Sequence, residues 1–248
     1  MEQQLTAHKL AYLRIAAING AHSKPQQDPS FSVPDRSRLG AAEIGCLLSH
    51  AKAWRLIAQG EAEHGLVLED DIHVSDDFGD LIRSMSLDAE EFCIHKLETF
   101  RATVTLVRRP AYTVRNRRAH RVETNHGGAG DYILNRKTAA HLLDYVDLFD
   151  EAIDIELFEP NRRKINNLTI YQWVPAPCIQ DFLVKEPECK KSFVSNIGKD
   201  RSDVRLYSVK RSPKYTAILK PRLRTLYTRL YSAWLLPGGR MRRKVDFA

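Results

Sequence analysis

The chain has 248 residues, 43% apolar and 28% charged, with 12 Gly and 11 Pro; this excludes collagen-like, mucin-like and broadly disordered chains and suits one α/β domain with an appendage. Its net charge of +7 is uneven: residues 210–248 hold 11 Lys and Arg against one acid, Asp246, whereas the other 209 residues hold 27 basic and 30 acidic side chains. No apolar run nears the ~20 residues of a membrane span, the N-terminus lacks a signal-peptide layout, and Cys46, Cys93, Cys178 and Cys189 stand singly, so a reducing cytoplasm is expected.

In chain order, residues 1–20 read as a helix fragment, a strand over 12–18 and an Asn19-Gly20 turn, followed by a polar, Pro-containing loop to residue 40. Ile44, Leu47, Leu48, Ala51, Trp54 and Ile57 follow helical spacing, and Gly60 is placed to end that helix. Leu66-Val67-Leu68 predicts a buried parallel strand that stops at three acids. A further strand is expected over 103–107, then an arginine-dense stretch, 108–121, with six Arg and no acid. Gly127, Gly128 and Gly130 precede a strand over 132–134, and Asn135 suits the N-cap of a helix presenting Ala139, Leu142, Leu143 and Val146. A last strand, 168–174, ends at Pro175 and Pro177. Strands alternating with helices imply an α/β fold with a mostly parallel sheet.

Glu69-Asp70-Asp71 is the strongest chemical signal, because carboxylates just past an apolar strand sit where open α/β sheets bind ligands, and such oxygen donors suit Mg²⁺ or Mn²⁺. A solvated acidic loop is the alternative. His50, off the apolar stripe of its helix, reads as a surface histidine or a ligand. The Gly127–Gly130 run lacks the Lys and spacing of a phosphate loop and reads better as a turn. Asp154 and Glu156 alternate with apolar residues, which puts both on one side of a short extended segment, either as a general base pair or as an exposed face.

The run 42–50 (AEIGCLLSH) with Trp54, then 66–71 (LVLEDD) with Phe78, resembles the signature of glycosyltransferase family 25, which contains bacterial lipopolysaccharide and lipooligosaccharide glycosyltransferases. The similarity continues through Lys96-Leu97-Glu98-Thr99, Gly130-Asp131-Tyr132-Ile133-Leu134, Ile153-Asp154 with Leu157-Phe158, and residues 175–181 (PAPCIQD), about residues 5 to 185 in family order. The resemblance implies a GT-A-like nucleotide-binding sheet flanked by helices and a metal-dependent UDP-sugar transfer, with galactose from UDP-galactose going to a lipopolysaccharide-type acceptor. It implies Mn²⁺ or Mg²⁺ on Asp71, supported by Glu69; Asp70, His50 and Gln180 at the donor; and Asp154 as catalytic base with Glu156 in reserve. Family members open with a hydrophobic strand and an arginine pair, so a missing N-terminal strand is expected at Met1.

Two further expectations concern basic residues, the first resting on the lipopolysaccharide-type acceptor that the resemblance implies and the second, for the tail, on the residues alone. Arg115, Arg117 and Arg118 are expected to face an anionic acceptor, since guanidinium pairs well with phosphates and acidic sugars. Residues 1–209 are expected to form the transferase domain and 210–248 a basic amphipathic tail. In that tail Leu223, Leu226, Tyr227, Leu230 and Trp234 share a helical face opposite Arg222, Arg224 and Arg229, and Arg240, Arg242, Arg243 and Lys244 form a second basic cluster. Such a helix either anchors the protein to an anionic membrane, on the inner face of the cytoplasmic membrane, or packs its stripe on the domain. Two competing functions remain: an Mg²⁺-dependent phosphoryl transferase, for which no phosphate-cradling motif is present, and a catalytically inactive sugar-nucleotide-binding or scaffold protein. No nucleic-acid partner is expected.

Overall fold

A computed structural model describes residues 1–20, 39–87, 92–184 and 239–248. The elements in order are α1 (Glu2–Ala7), α2 (Ala41–Gln59), β1 (His64–Leu68), β2 (Ile72–Val74), α3 (Phe78–Ser84), β3 (Cys93–Lys96), β4 (Glu98–Thr99), β5 (Thr103–Val107) and β6 (Tyr112–Val114). They continue with β7 (Arg117–Arg121), β8 (Asp131–Asn135), α4 (Arg136–Leu143), α5 (Ile153–Phe158), β9 (Thr169–Val174), β10 (Cys178–Gln180) and β11 (Arg240–Lys244).

The main sheet has six strands in the order β1-β8-β3-β9-β7-β6. Alternation along its strands sends Ile94, Tyr132, Leu134 and Ile170 to a core shared with α2, α4 and α5. Cys93, Ile133, Tyr171 and Trp173 go to the opposite core, against Leu5, Ile72 and Phe78. The mixed α/β class is as expected, but the sheet is not mostly parallel. Only β3 and β9 run parallel, while β1 meets β8 antiparallel and is half-buried at the sheet edge. A run of three apolar residues reports burial and carries no information about the direction of the neighbouring strand.

Local signals placed the long elements well. Gly60 donates its N–H to Ile57 O at the end of α2, and Asn135 Oδ1 accepts the Thr138 N–H at 2.7 Å at the start of α4. Two expectations change. Residues 11–19 form no strand, with Tyr12 and Leu13 exposed, and the segment is pinned by Ile18 N–H to Ser49 Oγ at 2.9 Å. Residues 153–158 form helix α5 instead of an extended segment. Ile153, Leu157 and Phe158 are buried at helical spacing, and the alternation that suggested a strand is equally compatible with one and a half turns.

A smaller sheet, β2-β10-β4, lies beyond the C-terminal ends of β1 and β3. The basic residues 240, 242, 243 and 244 form β11, which pairs antiparallel with β5 and leaves their side chains exposed. Val245 behind them is buried, and Ala176 and Phe247 form a parallel bridge. The helix expected over residues 222–236, with Leu226, Leu230 and Trp234, falls outside the described residues, as does Cys189.

Candidate active site

The acidic triplet lies in the turn between β1 and β2, at the junction of the two sheets. Glu69 N–H donates to Gly130 O at 2.7 Å, and Asp71 O accepts the Asp181 N–H at 2.8 Å, so the turn is stitched to both sheets. Asp70 is exposed, whereas Asp71 Oδ1 is buried without a hydrogen-bond partner. Burial, followed by the Glu69 and Asp70 charges, pushes the Asp71 carboxyl up to about 6. Burial also pushes the Glu69 carboxyl up. There the hydrogen bond and charge of His50, the Cys46 contact and the Lys96 charge outweigh it, and the net direction is downward.

His50 is buried at 4% exposure and belongs to the inward face of α2. Trp54 Nε1–H donates to Tyr132 Oη at 2.7 Å, and that hydroxyl lies 2.7 Å from His50 Nδ1. His50 Nε2 lies 3.3 Å from Glu69 Oε1. The side chain thus positions Glu69 instead of waiting at the surface.

Behind the triplet is a charged layer to which no role was assigned from sequence. Lys96 and Glu98 flank the bend between β3 and β4, so both side chains turn inward and meet, Nζ to Oε1, at 2.8 Å with no exposure. Lys96 also donates to Gly128 O and lies 4.1 Å from the Phe158 ring centroid. Glu98 accepts the Gly130 N–H at 3.0 Å and Gln180 Nε2–H at 3.1 Å. Burial raises the Glu98 carboxyl against the opposing Lys96 charge, and burial plus the Glu98 charge raises Asp131, on β8, well above the carboxylate range. Gln180 is therefore spent on Glu98 within the protein. The sequence signal for this layer was the pair of blocks, residues 96–99 and 130–134, that carry part of the family resemblance, with no role attached to their charges.

The glycine run explains itself here. Gly128 has φ +86, and a Cβ there would lie 2.1 Å from Phe100 and 2.7 Å from Glu98; at Gly130 a Cβ would meet Ile72 at 2.7 Å and Gln180 at 2.8 Å. The backbone must press onto the charged layer, which only glycine permits. Gly128 N–H also donates to Asp154 Oδ2 at 3.3 Å. One loop therefore links Glu69, the Lys96–Glu98 pair and Asp154.

The remaining sequence-selected residues separate. Glu156, two residues from Asp154, points away into the protein, fully buried. It accepts the N–H groups of Asp150, Glu151 and Lys164 at 3.2 Å each, and an ion pair with Lys164 at 3.0 Å. With its oxygens so occupied it is a structural staple of the 150–164 loop. Arg117 is likewise buried, paired with Asp77 at 2.6 Å and bonded to Ser75 Oγ, Pro175 O and Ala248 O. It is not available to an acceptor. Arg115 lies 3.7 Å from Asp80, and Arg118 is exposed; their hairpin sits four strands from β1, about 19 Å at the usual strand spacing. A cavity of about 340 Å³ is lined by Arg121, Arg163, Arg240, Glu123, His126 and Phe158, the last being the end of the helix that carries Asp154.

No described helix is long and apolar enough to cross a membrane. The family model for glycosyltransferase family 25, lipopolysaccharide biosynthesis protein, matches residues 1–157. The chain is 26% identical over 177 residues to the lacto-N-neotetraose biosynthesis glycosyltransferase LgtE of Neisseria meningitidis serogroup B, and equally to LgtE of Neisseria gonorrhoeae. These alignments cover 67% of this chain and 63% of each relative's length.

Proposed function

The chain belongs to glycosyltransferase family 25, and from that membership we propose that it is a metal-dependent UDP-sugar transferase of GT-A type acting on a lipopolysaccharide or lipooligosaccharide acceptor. Galactose from UDP-galactose is the proposed donor. The observation that carries the reading is the loop of residues 127–130, which ties the metal-type carboxylates and the candidate base to one rigid layer.

The residues fit a hard divalent ion, since the donors are carboxylate oxygens and Asp71 Oδ1 is buried with nothing bonded to it. Asp71 would hold Mn²⁺ or Mg²⁺, with Glu69 behind it and Asp70 exposed toward the donor. When bound, that ion supplies Lewis-acid neutralisation of the departing diphosphate. His50 and Gln180 serve the donor site by fixing Glu69 and Glu98. Asp154, held by Gly128 N–H, accepts the proton of the acceptor hydroxyl as that oxygen attacks the anomeric carbon. Arg121, Arg163 and Arg240 in the cavity beside the end of α5 suit phosphate or acidic groups of the acceptor. The basic tail of residues 210–248 would bring the enzyme to the cytoplasmic leaflet, where a lipid-linked acceptor is extended.

The test is UDP-sugar hydrolysis and UDP binding with and without Mn²⁺, for the wild-type chain and Asp71→Asn. Metal-dependent hydrolysis and binding, both abolished in Asp71→Asn with the fold intact, are expected. Binding unchanged by the substitution overturns the metal assignment, and metal-dependent binding without hydrolysis identifies an inactive sugar-nucleotide binder.

A further inference from the structure

We propose that Cys46, His50 and Glu69 form a second metal site, selective for a borderline divalent ion such as Zn²⁺ and distinct in chemistry from the all-oxygen donor site. The reactive atoms, Cys46 Sγ, His50 Nε2 and Glu69 Oε1, all lie within 4.8 Å of one another. Cys46 and His50 are four residues apart on α2, which stacks them on one face, and Glu69 reaches the same point from the end of β1.

Two of the three donor separations match tetrahedral ligation, and the third, Cys46 Sγ to His50 Nε2, is within 4.8 Å. With Zn–S of about 2.3 Å and Zn–N or Zn–O of about 2.0–2.1 Å, tetrahedral angles put sulfur about 3.5 Å from oxygen and nitrogen about 3.3 Å from oxygen. The observed separations are 3.6 Å for Cys46 Sγ to Glu69 Oε1 and 3.3 Å for His50 Nε2 to Glu69 Oε1. Little rearrangement is needed, because α2 carries two ligands and the Gly130 carbonyl fixes the Glu69 backbone. Cys46 and Glu69 are only partly buried, so the fourth position is reachable by water.

The surroundings of His50 suit a ligand. Trp54 Nε1–H donates to Tyr132 Oη; in the tautomer that carries its proton on Nε2, facing the Glu69 carboxylate, His50 offers Nδ1 as acceptor to the Tyr132 hydroxyl. Loading releases the Cys46 thiol proton to solvent and moves the imidazole proton to Nδ1, where the Tyr132 oxygen accepts it. That oxygen then acts as the outer partner that metal-bound histidines usually have. The thiolate and imidazole favour Zn²⁺ or Co²⁺ over Mg²⁺ or Mn²⁺. This site does not rest on the transferase reading, although the two share Glu69.

The probe is Co²⁺ added to the full chain in a thiol-free reductant, read by absorbance. A thiolate-to-cobalt charge-transfer band and intense tetrahedral visible bands are expected, saturating at one thiolate-bound Co²⁺ per chain and both bleached by Zn²⁺. Cys46→Ser should remove the charge-transfer band, and Tyr132→Phe should weaken cobalt binding about tenfold through its outer-partner role. A wild-type chain that shows no charge-transfer band at millimolar Co²⁺ overturns the proposal. So does a band that survives Cys46→Ser, since another cysteine would then hold the ion.

Discussion

Replacing Lys96 with Met should destabilise the protein in a way that depends on pH, because the lost cation leaves Glu98 as a buried carboxylate with no opposing charge. Glu98 has no exposure and starts from an ordinary value of 4.5. It escapes the unpaired charge by taking up a proton, which at pH 7 costs at most about 3.4 kcal/mol, or 1.36 kcal/mol for each pH unit above 4.5. At pH 5.5 the same ceiling is about 1.4 kcal/mol. The lost bond to Gly128 O adds about 1 kcal/mol at either pH. The expected loss is thus up to about 4–5 kcal/mol at pH 7, close to the cost of breaking other buried pairs, and about half that at pH 5.5. A raised folded-state value means stability is present below pH 4.5 and is lost as pH rises, so the deficit must grow from pH 5.5 to 7. Urea denaturation of wild type, Lys96→Met and Lys96→Met/Glu98→Gln measures it. The double variant has no Glu98 carboxyl to titrate and should recover about 2 kcal/mol or more at pH 7, and less at pH 5.5. An equal deficit at both pH values, or a double variant no better than the single one, refutes the buried-pair account.

Three further outcomes follow from other parts of the molecule. Asp154→Asn should lower kcat for sugar transfer by about 10²–10⁴ while leaving UDP affinity unchanged, and retention of wild-type kcat in a coupled UDP-release assay would remove Asp154 as base. His95 and His126 are pushed down to about 3 by burial, His126 also by the Lys96 charge. As pH falls from 6.5 toward 3 the unfolded chain therefore binds two protons that the folded one refuses, and these two groups together withdraw about 2.7 kcal/mol per pH unit. In His95→Phe, which keeps a ring against Tyr171, half of that slope should vanish from urea midpoints at pH 6 and 5, and an unchanged slope contradicts the burial argument. In co-sedimentation, the full chain should bind anionic liposomes more strongly than neutral ones and more strongly than its Arg222→Glu/Arg224→Glu/Arg229→Glu variant, which keeps β11 in the sheet, and equal binding by both chains would reject the tail as anchor.

Much of the framework was legible from local rules, since a helix period, a cap and a stop residue are decided within a few positions. α2 with its end at Gly60, β5, and the β8–α4 junction with Asn135 as N-cap all appear where the sequence puts them. The acids closing β1 were marked by the apolar run before them, whereas Asp154 was singled out through the family blocks it resembles, its helix having been taken for an extended segment. Pairing partners were not, because alternation tells which face is buried and not what runs alongside; β1 therefore proved antiparallel and residues 11–19 joined no described sheet. The fate of individual charges was also decided by the tertiary structure alone. Lys96, Glu98 and Asp131 look like surface residues until β3, β4 and β8 close around them. Arg117 and Glu156 look like site residues until Asp77 and Lys164, 40 and 8 positions away, claim them. Whether a charge serves a substrate or the fold depends on which partners chain closure brings within hydrogen-bonding distance, and on how much water remains between them.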